Sequence, residues 1–186
     1  MIKQLEWQQI EELFHTNMQE DFPAEEIKPL SLLSHLYEQQ TCRAYGFYDE
    51  SGTKRLAYAI FEKPNVGNGW LLDYLAVDKN ARGGGIGSRV LKEIRETLKE
   101  AEAILLEIER LDEAENDAQK TERVRRKHFY LKNGLVETGV YTVADGNIGY
   151  EILCLPIQKE VVGARAAKAM QNIYEMFFKK GEYQIL

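Results

Sequence analysis

The stretch WLLDYLAVDKNARGGGIGSRVLKEI, Trp70 to Ile94, decides how this chain folds. Its first eight residues are apolar apart from Asp73, the composition of a central strand covered on both faces. Ile86, Val90, Ile94 and then Leu98 recur at every fourth position, the spacing of one helix face. Gly83, Gly84, Gly85 and Gly87 stand at the mouth of that helix, although glycine costs roughly 1 kcal/mol relative to alanine inside a helix. AILLEIE, Ala103 to Glu109, then returns to strand character. Strand, glycine turn, helix and strand in that order predict a right-handed parallel crossover.

Outward from this unit, the chain reads as a mixed fold. Upstream, Leu5 to Gln19 and Ala24 to Gln40 have the spacing of two amphipathic helices separated by Pro23. Ala44 to Tyr48 and Leu56 to Glu62 alternate with period two around the turn DESGT, as antiparallel strands do. Downstream, a polar run LDEAENDAQKTE leads to a basic helix from about Thr121 to Asn133, closed by Gly134. Two more strands, Leu135 to Val143 and Ile148 to Leu155, are joined at ADGN, and Pro156 ends the unit. In the tail from Val162 to Lys180, Val162, Ala166, Ala169, Met170, Ile173 and Phe177 share a helical stripe. The expected organisation is a domain over 1–156, with N-terminal helices in 1–40 and a core over 44–154, followed by a helical extension over 157–186.

Composition narrows the partners. The chain has 186 residues, 44% of them apolar, enough for one substantial core. A net charge of -6 opposes general attraction to nucleic acid or an anionic membrane and favours small-molecule partners. Cys42 and Cys154 are few, distant and set among apolar residues, which suits buried free thiols in a reducing cytoplasm. No run reaches the ~18 apolar residues of a membrane span, and MIKQLEWQQIEEL lacks the apolar core of a signal peptide, so a cytoplasmic location is expected. His15, His35 and His128 have no metal-ligand spacing, and no metal is expected.

A strand that turns into a helix directs the first free N–H groups of the helix beside the carboxyl edge of the sheet. Glycines let an anion approach those groups and permit the positive φ of an anion-binding nest, and Arg82 adds a fixed charge. The same glycines would also serve a tight connection with no ligand. The dinucleotide pattern G-x-G-x-x-G fails, since counting from Gly83 and Gly85 reaches Ser88. The triphosphate loop fails too, because Gly87 is followed by Ser88 and Arg89.

Arg82-Gly83-Gly84-Gly85-Ile86-Gly87 does match R/Q-x-x-G-x-G, the acyl-coenzyme A motif of the GCN5-related N-acetyltransferase (GNAT) family. FYLKNGL, Phe129 to Leu135, resembles the F-Y-x-K-x-G-F segment of the same family, and the likeness runs from about Ala44 to Cys154. The resemblance implies an α+β fold with a mixed, mostly antiparallel sheet, a parallel crossover and flanking helices. It also implies acetyl-CoA as acyl donor and direct transfer to an amine in a ternary complex. Backbone at Leu75, Ala76 and Val77 would hold the pantetheine arm, and Arg82, Gly83, Gly84, Gly85, Ile86, Gly87 and Ser88 the diphosphate. Tyr130 matches the family tyrosine that protonates the departing thiolate.

For the base, two carboxylates lie in apolar strands, where desolvation raises a carboxyl pKa toward the working range. Glu107 is the first candidate and Asp73 the second; pairing with an arginine of the Arg123, Arg125, Arg126 cluster is the structural alternative for each. The sequence departs from the family seven residues before Tyr130, where Arg123 replaces a cofactor-binding asparagine, so either Asn116 is a substitute or the arginines bind the cofactor phosphate or an acidic substrate. FPAEEIKPL, Phe22 to Leu30, would border the acceptor groove, and its acidic residues hint at a cationic acceptor. A small-molecule amine is the favoured acceptor and protein acetylation an alternative. A non-catalytic acyl-CoA sensor is the rival from another class. The C-terminal helix would either cover the domain's own sheet or join a second copy as a homodimer.

Overall fold

The computed structural model describes residues 1–144 and 148–186, Glu25 by its backbone alone. In chain order its elements are β1 (Ile2–Leu5), α1 (Trp7–His15), α2 (Asn17–Asp21), α3 (Leu30–Glu38), β2 (Cys42–Tyr48), β3 (Arg55–Glu62) and β4 (Gly69–Val77). There follow α4 (Ile86–Thr97), β5 (Ala103–Glu109), α5 (Asp117–Lys132), β6 (Val136–Ala144), β7 (Ile148–Pro156), α6 (Ala164–Tyr174) and β8 (Gln184–Ile185). Among the described residues the hydrogen-bonded strand order is β1-β2-β3-β4-β5-β7-β6-β8, mostly antiparallel with a parallel β4–β5 pair. This is the mixed α/β sheet expected from the sequence.

The chain clusters into two compact units, 1–63 with 72–94, and 64–71 with 95–186. In the first, β1 pairs with β2 and β2 with β3, both antiparallel. Ile10, Leu13, Leu33 and Leu36 supply the buried helix positions, as their spacing predicts. The helix boundaries differ from the expected ones for local reasons. Ile2–Leu5 is an edge strand whose partners Ala44–Phe47 lie far along the chain, so no local pattern marks it. Glu6 and Gln9 form a reciprocal capping box, which starts α1 at Trp7. The second expected helix begins only at Leu30, because Pro29 excludes helical backbone from Lys28 and serves as the N-cap residue.

In the second unit, Gly69–Leu71 pairs in parallel with Ala103–Leu105, and β5, β7, β6 and β8 continue in antiparallel fashion. The parallel ladder stops at Leu71 and Leu105, although β4 runs on to Val77 and β5 to Glu109. Ala166, Met170, Ile173 and Tyr174 of α6 join Leu105, Val140, Ile152 and Cys154 in this unit's core. The apolar stripe of the tail is therefore buried on its own sheet, over Ala164–Tyr174 rather than the full expected span. The link expected at ADGN lies, apart from Ala144, outside the described residues. Cys42 and Cys154 are free and buried. Among the described residues, no helix is long and apolar enough to cross a membrane, and no group of His, Cys, Asp and Glu could hold a metal ion.

Candidate active site

The end of β4 is fixed from both sides. The Asp78 N–H donates to Leu56 O at 2.9 Å, and the Asp78 carboxylate accepts the Asn80 N–H at 2.8 Å. Leu75, Ala76 and Val77 thus reach the glycine loop as ordered strand. Arg82 is exposed; its Nε donates to Val77 O at 3.1 Å and its guanidinium lies 3.9 Å from Asp21. Gly83 and Gly85 adopt φ of +85° and +75°. A side chain at either would meet no atom within 4 Å, so glycine supplies left-handed backbone there rather than room. The Arg89 N–H makes the first helical bond, to Gly85 O at 3.1 Å. The N–H groups of Ile86, Gly87 and Ser88 precede it in the first turn and have no intrahelical acceptor. Open donors of this kind, at the positive end of a helix, fit a diphosphate.

Four residues before Val77, the same strand carries a buried ionic cluster. Asp73 accepts two bonds from Lys28 Nζ, at 2.7 and 2.8 Å, with side chains only 9% and 16% exposed. Burial works against the Lys28 charge, but Asp73, Tyr74 and Glu62 more than offset it and raise its pKa above the usual lysine range. The Tyr74 hydroxyl accepts the Lys28 N–H at 2.9 Å and donates to Glu26 O at 2.8 Å. Tyr58 donates to Asp21 at 3.1 Å, and the Phe22 ring meets Tyr74 edge to face. Two tyrosines and one carboxylate therefore pin residues 21–28 onto the strands. The segment expected to border the acceptor contributes an ammonium to a carboxylate.

Glu62, at the end of β3, is fully buried, and neither of its oxygens accepts a hydrogen bond. Its carboxyl lies in hydrogen-bonding contact with Asp73. Two carboxylates repel one another and both only accept, so this contact closes only when one carries a proton. Burial first, and the Asp73 charge second, push the Glu62 carboxyl up to about 8. Opposite Glu62 in the β2–β3 register stands Cys42, whose thiol is pushed up by burial and by the same two acids.

Tyr130, Glu107 and Asn116 belong to the second unit. Helix α5 has little apolar surface facing inward and is held by charge instead. Arg123 donates to Glu109 at 2.7 Å and to Arg110 O at 2.6 Å, and Lys127 reaches Glu151 at 2.7 Å. These anchors place Tyr130, which is 9% exposed. Burial raises the phenol pKa, with Arg126 opposing, so it is protonated at neutral pH. Glu107 accepts a hydrogen bond from Tyr174 of α6, whose hydroxyl also lies 2.9 Å from Thr142. Arg123 and Arg126 both pair with Glu109, and Arg126 also with Glu122. Asn116 acts as the N-cap of α5, its side chain accepting the Gln119 N–H at 2.9 Å.

A model of the acetyltransferase (GNAT) family matches residues 7–134. This chain belongs to the GNAT family. The matched region runs from α1 through α5 and contains Asp73, the glycine loop and Tyr130; α6 lies beyond it. YjbC of Bacillus subtilis (strain 168), named as an acetyltransferase, is 31% identical over 117 residues, 62% of this chain and 56% of that protein. The chain thus spans little more than half of that relative's length. A GNAT-family structure from Bacteroides thetaiotaomicron superposes with a TM-score of 0.66 at 20% identity, covering 94% of each chain. The ribosomal-protein-S18-alanine N-acetyltransferase of Escherichia coli superposes with a TM-score of 0.57 at 21% identity, over 86% of this chain and 95% of its own. Spermidine N-acetyltransferase of Vibrio cholerae, in complex with CoA and spermine, gives 0.55 at 15% identity, over 86% and 96%. At these identities the structural likenesses speak to the GNAT fold alone.

Lys28 and Glu62 escape the sequence reading of this GNAT chain. A glutamate that ends an apolar strand and precedes Lys63-Pro64 resembles a solvated terminus, and a lysine inside FPAEEIKPL resembles a loop residue. The available signal was the apolar run before Glu62, which implies burial on both faces up to the last residue.

Proposed function

We propose that this GNAT chain is an N-acetyltransferase that takes acetyl from acetyl-CoA and delivers it to a primary amine in a ternary complex. The observation that carries this reading is the single run Asp73 to Ser88, where a buried carboxylate already holds an ammonium at 2.7 Å and a left-handed glycine loop follows. When bound, acetyl-CoA supplies the thioester carbonyl and a thiolate leaving group. Arg82 and the N–H groups from Gly83 to Ser88 hold its diphosphate, with a helix-dipole contribution of up to ~2 kcal/mol. Backbone at Leu75, Ala76 and Val77 holds the pantetheine arm. Asp73 positions the acceptor ammonium and takes its proton, which frees the lone pair. The ordered phenol of Tyr130 returns a proton to the thiolate. Glu107, the first candidate from the sequence, accepts a hydrogen bond from Tyr174 and is the alternative base.

Release of free thiol from acetyl-CoA across a panel of di- and polyamines tests the reading. Turnover of at least one cationic amine is expected. Cofactor binding without turnover of any amine would establish the sensor reading instead. Tyr130→Phe is expected to lower kcat by about 10² while leaving CoA affinity unchanged. Wild-type turnover by that variant would remove Tyr130 from the chemistry.

A further inference from the structure

Two buried carboxyls lie beside one lysine. Glu62 is fully buried, accepts no hydrogen bond and touches Asp73, while Asp73 spends both oxygens on Lys28 Nζ at 2.7 and 2.8 Å. A purely structural role would favour glutamine at position 62. Its amide N–H would donate to Asp73 as a protonated glutamate does, with no charge to desolvate at any pH. What a carboxyl adds here over an amide is a proton that can move.

We propose that Glu62 is a positioning residue for acetyl transfer: it shares one proton with Asp73 and thereby sets the basicity with which Asp73 removes the proton of the acceptor amine. This rests on the acetyltransferase reading above. In the step, the acceptor ammonium gives its proton to the ionised carboxyl pair, and the N–H electron pair stays on nitrogen as the nucleophilic lone pair. The proton ends between Glu62 and Asp73 and leaves to solvent by way of Asp73, whose side chain keeps 9% of its surface exposed. Lys28 keeps its charge throughout and holds the pair near neutrality once the proton has arrived. The groups facing Glu62 are Lys28 from the segment before α3, Asp73 and Tyr74 from β4, and Cys42 from β2. Cys42 and Tyr74 are both raised by burial and stay neutral, so the carboxyl pushed up to about 8 is that of Glu62.

The test is Glu62→Gln, read in three ways on the whole chain. Infrared difference spectra against wild type should show, at neutral pH, the carbonyl stretch of a protonated carboxyl that the variant lacks. Denaturant unfolding should show wild type losing stability relative to the variant as pH rises from about 4.5 to about 8, because folded Glu62 keeps a proton that the unfolded chain releases. With an acceptor whose amine ionises well above pH 9, wild-type kcat/KM should rise through an ionisation near 8. In Glu62→Gln that rise should flatten, and the rate at pH 9 should fall by about tenfold. Glu62→Asp, which keeps the acid, should retain a sloping profile. Superimposable profiles for wild type and Glu62→Gln overturn the proposal, as does the absence of the infrared band. If wild type turns over no amine, the acetyltransferase reading fails and the role of Glu62 with it, while the infrared band still decides whether the proton is shared.

Discussion

Replacing Lys28 with methionine is expected to lower the unfolding free energy at pH 8 by about 3–5 kcal/mol, the effect of removing one partner of a buried ion pair. The size follows from geometry: the Lys28 and Asp73 side chains are 16% and 9% exposed, and both oxygens of Asp73 bond to the one ammonium. Without it, Asp73 and Glu62 crowd together with no cation. Glu62, already raised to about 8 by burial and by the Asp73 charge, then loses the one cation that opposes the rise. A group of raised folded pKa stabilises below its unfolded value and loses that contribution as pH rises. The deficit of Lys28→Met should therefore shrink on acidification toward pH 4. Urea unfolding at several pH values checks this, and a deficit under about 1 kcal/mol at pH 8, or one that grows on acidification, would contradict the buried pair.

Asp73→Asn is expected to lower kcat/KM for the acceptor amine by 10²–10⁴, the usual range for a general base, with CoA affinity retained. Asparagine keeps the shape of the side chain but neither draws an ammonium nor takes its proton. Glu107→Gln is the companion variant, since its carboxylate is held by Tyr174 and its loss should change turnover little. Steady-state kinetics of the two variants side by side decide between the carboxylates. A near-normal Asp73→Asn with a crippled Glu107→Gln would transfer the role to Glu107.

What could be read from the chain, and what could not, divides along the range of the interactions. The helix from Ile86 and its glycine mouth were legible because a four-residue apolar spacing and left-handed backbone both act locally, and Gly83 and Gly85 take the positive φ that such a mouth demands. Helix α5 begins at Asp117 rather than near Thr121, since a polar run conceals a local cap in which Asn116 accepts the Gln119 N–H and Gln119 accepts the Glu115 N–H. Asn116, offered by the family resemblance as a substitute cofactor contact, has its side-chain oxygen on the Gln119 N–H. Strands Ile2–Leu5 and Gln184–Ile185 are short edges created by partners far along the chain, at Ala44–Phe47 and Thr142–Val143. The ionic cluster was invisible for the same reason: 45 residues separate Lys28 from Asp73, and nothing near either announces the other.

Titration calorimetry of the folded protein with coenzyme A probes the loop from Arg82 to Ser88 most directly. One saturable site per chain is expected, weakening as salt screens the diphosphate and lost in Gly85→Val, where a β-branched residue cannot hold φ near +75°. A chain shown to be folded that yields no heat with coenzyme A or acetyl-CoA would contradict the acetyltransferase function.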